Sequence, residues 1–203
     1  MQLEVFFDYT CPYCYLGLHE LNQILPDYPG LSVKWCPCEL HMRPEPVPSH
    51  WEDSSEWLSE LKGRLENVGL PLNRPFEPGN YSDLAIQGLL CLEEQGADLR
   101  RYNDAVYAAV FRERKNIEDI DVLSDCAVLA GGNVPAFRQS LTSAKYSEKR
   151  LMLDKYGWEE NALEAVPSFR LGDALLNAVP GVGLVRQQVL NFLDKESEAK
   201  QKK

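Results

Sequence analysis

The sequence has no run of about 20 apolar residues, the length that a helix needs to cross a membrane. Basic residues are also in the minority, with 21 Lys and Arg against 31 Asp and Glu and a net charge of -10. This balance argues against nucleic acid or an anionic membrane as the main partner. No signal-peptide pattern precedes the first strand-like segment, which begins within a few residues of Met1. We therefore expect a cytoplasmic protein.

The composition favours a folded chain with redox chemistry. Of the 203 residues, 44% are hydrophobic and 10% aromatic, which suits one domain, or one domain with a large insertion. Six cysteines in such a chain do not suggest a structural disulfide framework. In a reducing compartment, paired thiols are more often catalytic, redox-sensing or metal-binding.

One cysteine pair stands where a strand passes into a helix. Residues 3–7 read as a buried strand, and Cys11-Pro12-Tyr13-Cys14 opens a predicted helix over residues 11–25. The amide groups and dipole of a first helical turn stabilise negative charge, so a Cys11 thiolate would be favoured there. Cys14 could then close a disulfide with Cys11. The pattern is typical of a thiol–disulfide oxidoreductase.

The order of elements predicts an α/β fold. A first strand, a helix and a second strand over residues 31–40 form a βαβ unit with parallel strands, and Pro37 suggests an edge strand or a strand end. Strand signals return over 166–171 and 174–179 around a Gly172-Asp173 turn, before a last helix over 182–193. Between these parts lie helical patterns over 57–68, 84–92, 102–110, 121–130, 134–141 and 148–156.

This order, β-α-β, a helical block, then β-β-α, is a thioredoxin-like fold with a large all-helical insertion. We predict a thioredoxin-like domain formed by residues 1–45 and 162–195. Residues 46–161 would form the inserted helical domain, and residues 196–203 a charged, frayed tail.

The motifs resemble the DsbA family of thioredoxin-fold oxidoreductases, and within it the FrnE-like branch. The resemblance covers residues 2–193 and is most specific over Phe7–Gly17, with Val166-Pro167 opening the later hairpin. It implies that Cys11 attacks, that Cys14 resolves, and that Pro167 is a cis-proline facing the disulfide. The Val166 backbone and the Pro12-Tyr13 dipeptide would contact the substrate, with Tyr13 exposed.

The resemblance implies exchange of the Cys11–Cys14 dithiol or disulfide with protein or small-molecule disulfides. Partners would be disulfide- or thiol-bearing proteins or peptides, and a thioredoxin-like donor or glutathione, because Pro-Tyr between the cysteines is also typical of glutaredoxins. No cofactor is implied apart from glutathione as a co-substrate. One alternative is a glutathione-dependent isomerase or transferase, as in the related 2-hydroxychromene-2-carboxylate isomerases and kappa-class transferases. Another is a redox-sensing or metal-binding module.

A second pair, Cys36 and Cys38, lies at i and i+2 of the second strand, so both side chains should share a face. This pair could be a second redox pair, or Cys38 could fill a core position. With Cys11 and Cys14 it could also hold zinc or an iron–sulfur cluster, but the spacing is not a standard zinc pattern, and we predict no metal. Asp8 and Glu39, near the same end of the sheet, could accept a proton from Cys14 or be solvated charges or caps.

Overall fold

The fold is built on one mixed sheet. The computed structural model describes residues 1–47, 51, 55–76 and 80–201. In these ranges four strands lie in the order β2-β1-β3-β4. They are β1 Gln2–Phe7, β2 Ser32–Pro37, β3 Ser168–Leu171 and β4 Ala174–Leu176. β1 pairs in parallel with β2 and antiparallel with β3, so strands from before and after the helical segment are neighbours in the centre of the sheet.

Eight α-helices surround the sheet in the described residues. They are α1 Pro12–Ile24, α2 Glu56–Asn67, α3 Asp83–Gln95, α4 Leu99–Phe111, α5 Ile120–Leu129, α6 Val134–Ser140, α7 Ala144–Asp154 and α8 Arg186–Gln201. A π-helical turn, Lys155–Glu160, extends α7. The predicted order of strands and helices is confirmed, as are the parallel β1–β2 pair and the edge position of β2, which ends at Pro37.

The last helix differs from its prediction at both ends. It begins at Arg186 rather than Val182, because Gly181 and Gly183 adopt positive φ angles of 74° and 73° and close a turn. It then continues to Gln201 through most of the predicted frayed tail, and residues 202–203 of that tail lie outside the described residues. Residues 48–50 of the predicted insertion, and 52–54 and 77–79, also lie outside them. The division into two domains stays a prediction.

The core joins the sheet to the inserted helices. Phe7 at the end of β1 and Tyr9 just after it lie with ring centroids 5.3 Å apart, edge to face. Tyr107 of α4 lies 5.5 Å from Tyr9, and it stacks on Tyr15 of α1 at 5.8 Å. Aromatic burial of this size contributes strongly to stability. It places α4 directly against the junction between β1 and α1.

The helices of the described ranges are amphipathic or short. None of them is both long enough and apolar enough to cross a membrane.

Candidate active site

The first cysteine lies at the amino-terminal cap of α1. Cys11 has an extended backbone, with φ -85° and ψ 114°, and Pro12 follows it at the start of the helix. The Cys14 amide donates to Cys11 Sγ at 3.3 Å. Sulfur thus takes the acceptor position that a serine or aspartate oxygen usually has at a cap. A negative charge on Cys11 would be stabilised by this amide and by the positive end of the helix dipole.

The second cysteine lies behind the first and is fully buried. Cys14 has no exposed surface, whereas Cys11 keeps 4%. Burial raises the pKa of the Cys14 thiol well above its ordinary value, and the hydrogen bond with Cys11 raises it further. All six cysteines are free thiols in this structure. The two thiols therefore lie in different environments, with Cys11 at the helix cap and Cys14 fully buried.

The Val166-Pro167 segment faces Cys11 from the sheet. Its peptide bond is cis, and the Val166 carbonyl accepts a hydrogen bond from Cys11 Sγ at 3.5 Å. Pro167 is buried against α1 at Gly17, where an added Cβ would lie 2.7 Å from Pro167 Cγ. Gly17 was not singled out from the sequence. Its lack of a side chain lets α1 and Pro167 approach each other, which fixes the distance between Cys11 and Val166.

Tyr13, between the two cysteines, is half-buried, so the expectation that it is exposed is wrong. Its ring lies 6.2 Å from the ring of Trp57 in α2. Its hydroxyl donates to the Gly181 carbonyl at 2.5 Å. The inserted helix α2 and the turn before α8 therefore meet at the dipeptide that separates the cysteines.

The comparisons with known proteins identify the family. The model of the DSBA-like thioredoxin domain matches residues 2–191. The chain belongs to the DSBA-like thioredoxin domain family. The thioredoxin-like fold with its helical insertion is thereby confirmed for this DSBA-like chain.

Individual proteins match over most of the chain. The chain is 30% identical to the uncharacterized protein YwbO of Bacillus subtilis (strain 168) over 185 residues, which cover 89% of this chain and 92% of YwbO. Among solved structures it is similar to the probable DsbA oxidoreductase SCO1869 of Streptomyces coelicolor. The TM-score is 0.80 and the identity 19%, with 98% of this chain and 90% of that chain covered.

Two further solved structures share the fold. A 2-hydroxychromene-2-carboxylate isomerase matches with a TM-score of 0.75 and 20% identity, covering 100% of this chain and 97% of that one. The cytosolic disulfide reductase DsbM of Pseudomonas aeruginosa, solved with GSH, matches with a TM-score of 0.66 and 15% identity, covering 100% and 98%. The fold therefore occurs in both redox proteins and an isomerase.

Asp8 of this DSBA-like domain organises the loop before Cys11, a role that the sequence did not reveal. Only 1% of Asp8 is exposed. Its carboxylate accepts hydrogen bonds from the Thr10 amide and hydroxyl at 2.5 and 2.7 Å, from the Ser82 hydroxyl at 2.6 Å, and from the Leu40 amide at 2.6 Å. The interpretation of Asp8 as a solvated charge is wrong. A buried carboxylate with this many donors fixes the loop that carries Cys11.

The Cys36 and Cys38 thiols are both buried, with 1% and 0% of each residue exposed. Burial raises the pKa of Cys36 to about 12 and that of Cys38 well above its ordinary value. Cys38 Sγ lies 3.7 Å from the Cys36 carbonyl, and the backbone of Gly157 covers it. A buried, protonated thiol is a poor nucleophile, so the geometry favours a core role. Their role as a second redox pair stays a prediction.

No cluster of three or more His, Cys, Asp or Glu side chains suited to a metal ion occurs in the described ranges.

A buried charge cluster lies beside Cys38. Arg150 forms an ion pair with Glu39, and its Nη1 lies 3.6 Å from Asp154 Oδ2. Asp154 Oδ1 accepts the Glu39 amide at 2.6 Å, while Oδ2 has no hydrogen-bond partner in the described part of the chain. Burial raises the pKa of Asp154 to about 7, with Arg150 opposing the shift and the charge of Asp8 adding to it. Glu39, like Asp8, is therefore not a solvated charge.

This cluster predicts a distinct pH dependence of stability. Because the pKa of Asp154 is about 7 when folded and near 3.8 when unfolded, the folded chain retains a proton that the unfolded chain releases. The retained proton contributes about 1–4 kcal/mol to the free energy of unfolding. This contribution is fully present below pH about 4 and is lost as the pH rises through about 7. Asp154→Asn should remove that loss while keeping the acceptor for the Glu39 amide. We expect urea unfolding to show the variant gaining stability over wild type between pH 5 and pH 8. A difference that stays constant with pH would contradict the shift.

Proposed function

We propose that this DSBA-like protein is a thiol–disulfide oxidoreductase that uses Cys11 as the nucleophile and Cys14 as the resolving thiol. The observation that carries the proposal is the pairing of a cap-position sulfur, held by the Cys14 amide at 3.3 Å, with a buried thiol one helical turn later. One sulfur is thus set to carry negative charge, and the other is kept protonated until the first has reacted.

The proposed exchange consumes one disulfide and yields two thiols. Cys11 thiolate attacks one sulfur of the substrate disulfide, forming a mixed disulfide and releasing the other substrate sulfur as a thiolate. Cys14 then loses its proton and attacks Cys11 Sγ, which releases the second substrate thiol and leaves a Cys11–Cys14 disulfide. The reverse sequence oxidises a dithiol. Val166 and Pro167, which face Cys11, would hold the substrate chain during the mixed-disulfide stage.

The substrates proposed are disulfide- or thiol-bearing proteins and peptides, with glutathione or a thioredoxin-like donor as the electron partner. Pro12 and Tyr13 support glutathione, since they stand between the cysteines as in glutaredoxins. DsbM, which shares this fold, is described as a cytosolic disulfide reductase and was solved with GSH. We propose the same reducing compartment for this chain, where paired thiols are kept reduced between turnovers.

A glutathione-dependent isomerase is the second candidate, because the isomerase with this fold covers the whole chain. That activity needs one nucleophile or one activated thiol and no resolving cysteine. The intact Cys11–Cys14 pair, with the Cys14 thiol buried one helical turn after Cys11, favours the oxidoreductase.

A redox titration tests the proposal. In glutathione buffers of increasing oxidised fraction we expect one disulfide per chain, mapped by mass spectrometry to Cys11 and Cys14, with a single midpoint. A midpoint potential well above the cytosolic redox potential of roughly -220 to -320 mV indicates a disulfide oxidant or disulfide isomerase. A midpoint at or below that potential indicates a disulfide reductase. A parallel Cys36→Ala/Cys38→Ala sample should give the same midpoint if that pair is structural. Failure to form the disulfide at any ratio of oxidised to reduced glutathione would overturn the oxidoreductase proposal and leave the glutathione-dependent isomerase as the candidate function.

A further inference from the structure

The turn before α8 is fastened over Tyr13 from two sides. Residues 179–185, here called the 179–185 loop, close on themselves through the Gly183 amide, which donates to the Val179 carbonyl at 2.8 Å. From one side the Tyr13 hydroxyl donates to the Gly181 carbonyl at 2.5 Å. From the other side Arg64 of α2 donates to the carbonyls of Val182 at 2.7 Å and Leu184 at 2.5 Å. The loop is thus held both by the active-site dipeptide and by the inserted helices.

The contact between loop and dipeptide is close. A Cβ added to Gly183 would lie 2.8 Å from Tyr13 Cδ1 and 3.1 Å from Tyr13 Cβ, so the Gly183 backbone lies directly on the Tyr13 side chain. The ring of Trp57, in the same helix as Arg64, packs near Tyr13. Tyr13 therefore cannot move without displacing the loop or α2.

These contacts accompany a nearly inaccessible nucleophile. Cys11 is only 4% exposed, although it must meet a sulfur atom of a second molecule in line with that molecule's disulfide. A small disulfide can approach through a narrow opening, whereas a disulfide within a folded protein brings bulky neighbouring chain with it. A large substrate therefore has to displace the 179–185 loop to reach Cys11, which costs the free energy that holds the loop in place, whereas a small one does not.

We infer that Tyr13 and Arg64 are specificity-determining residues, which restrict Cys11 to disulfides of small-peptide size by fastening the 179–185 loop onto the dipeptide that follows Cys11. This inference rests on the proposed dithiol exchange for its meaning, but it concerns access to a thiol and can be measured without turnover. Arg64 touches no reacting atom and acts through the loop.

The test compares small and large thiol reagents on the reduced, full-length protein. Iodoacetamide and a 5-kDa polyethylene glycol maleimide are each reacted with wild type, Arg64→Ala and Tyr13→Phe, and modification of Cys11 is followed by peptide mass spectrometry. Rates are normalised to those of free glutathione. Loss of the Arg64 hydrogen bonds should raise the ratio of large-reagent to small-reagent rate by about 10-fold, and loss of the Tyr13 hydroxyl by about 5-fold. Arg101→Ala is the matched control, because Arg101 is an exposed arginine of α4 that pairs with Asp98 at 3.5 Å.

Turnover gives a second readout that separates the two proposals. Arg64→Ala should raise kcat/KM for reduction of insulin relative to that for glutathione disulfide, by a factor similar to the change in reagent ratio. If reagent ratios shift but neither disulfide is turned over, access control is supported and the oxidoreductase proposal fails. If the ratio stays within about 2-fold of wild type in both variants, the inference is overturned, whatever the enzyme does. Circular dichroism of Tyr13→Phe, the more conservative change, confirms that the fold is retained.

Discussion

Replacement of Cys11 by serine is expected to lower disulfide exchange by at least about 10³-fold, which corresponds to about 4 kcal/mol of activation free energy. A serine hydroxyl cannot form the new sulfur–sulfur bond. Cys14 cannot act in its place, since it is fully buried and its pKa is raised well above the ordinary thiol value. Turnover of glutathione disulfide and of insulin measures the loss. Retention of a tenth or more of the activity would show that another thiol is the nucleophile.

Cys14→Ser is the matched variant, because it keeps the nucleophile and removes only the resolving thiol. The Cys11 sulfur still accepts the amide of residue 14, so attack should proceed and the mixed disulfide should accumulate. Mass spectrometry should detect a stable glutathione adduct on Cys11. Sustained turnover by Cys14→Ser would instead favour glutathione chemistry on a single group, as the isomerase alternative requires.

Gly17→Ala is expected to destabilise the fold and to displace Pro167 from Cys11. The new methyl group would lie 2.7 Å from Pro167 Cγ, in a buried contact with a rigid ring. Overpacking of this kind costs about 1–3 kcal/mol, which exceeds the gain of about 1 kcal/mol that alanine brings to a helix interior. Exchange by the variant should fall as well, since Val166 and Pro167 would no longer face Cys11 at the same distance.

Gly63→Ala provides the control for this experiment. Gly63 also lies inside a helix, α2, but an added Cβ would meet nothing within 4 Å. Alanine should therefore stabilise the protein by about 0.5–1 kcal/mol through helix propensity alone. Urea unfolding of both variants measures the contrast. Stabilisation by both substitutions to the same degree would mean that α1 and Pro167 can separate without cost.

Hydrophobic periodicity and the Gly, Pro and cap residues at element ends predicted most of the secondary structure, because those signals are local. An aspartate before a helical run favours a helix start, and the Asp98 side chain does accept the Arg101 amide at the amino terminus of α4. Serine is also a favoured residue at a helix start, yet Ser82 makes no capping hydrogen bond and donates to Asp8 instead. The difference is that Ser82 has a buried carboxylate within reach, and no sequence pattern encodes a contact across 74 residues.

In the candidate active site, too, local motifs could be predicted from the sequence and contacts between distant residues could not. The strand-to-helix position of Cys11 and the Val166-Pro167 pair could be predicted because each is a local motif. The half-burial of Tyr13 could not, since it depends on a carbonyl of Gly181, 168 residues away. Likewise, Glu39 and Asp154 are separated by 115 residues, and their burial follows from packing of α7 beside β2. Gly17, at the end of the Phe7–Gly17 stretch, could have been found only by asking why a helix interior contains glycine.

The hydrogen bonds around Asp8 and Tyr9 bear on attempts to build a shortened version of this protein. The Tyr107 hydroxyl donates to the Asp8 carbonyl at 3.0 Å, the Tyr9 hydroxyl donates to Asn103 at 2.6 Å, and Ser82 completes the Asp8 carboxylate. Excision of the helices between the two halves of the sheet would thus remove the Ser82 hydrogen bond of the Asp8 carboxylate, the donor to the Asp8 carbonyl and the acceptor of the Tyr9 hydroxyl, all immediately before Cys11. A miniaturised redox scaffold would need new residues at both positions, and it could not be obtained by deletion alone.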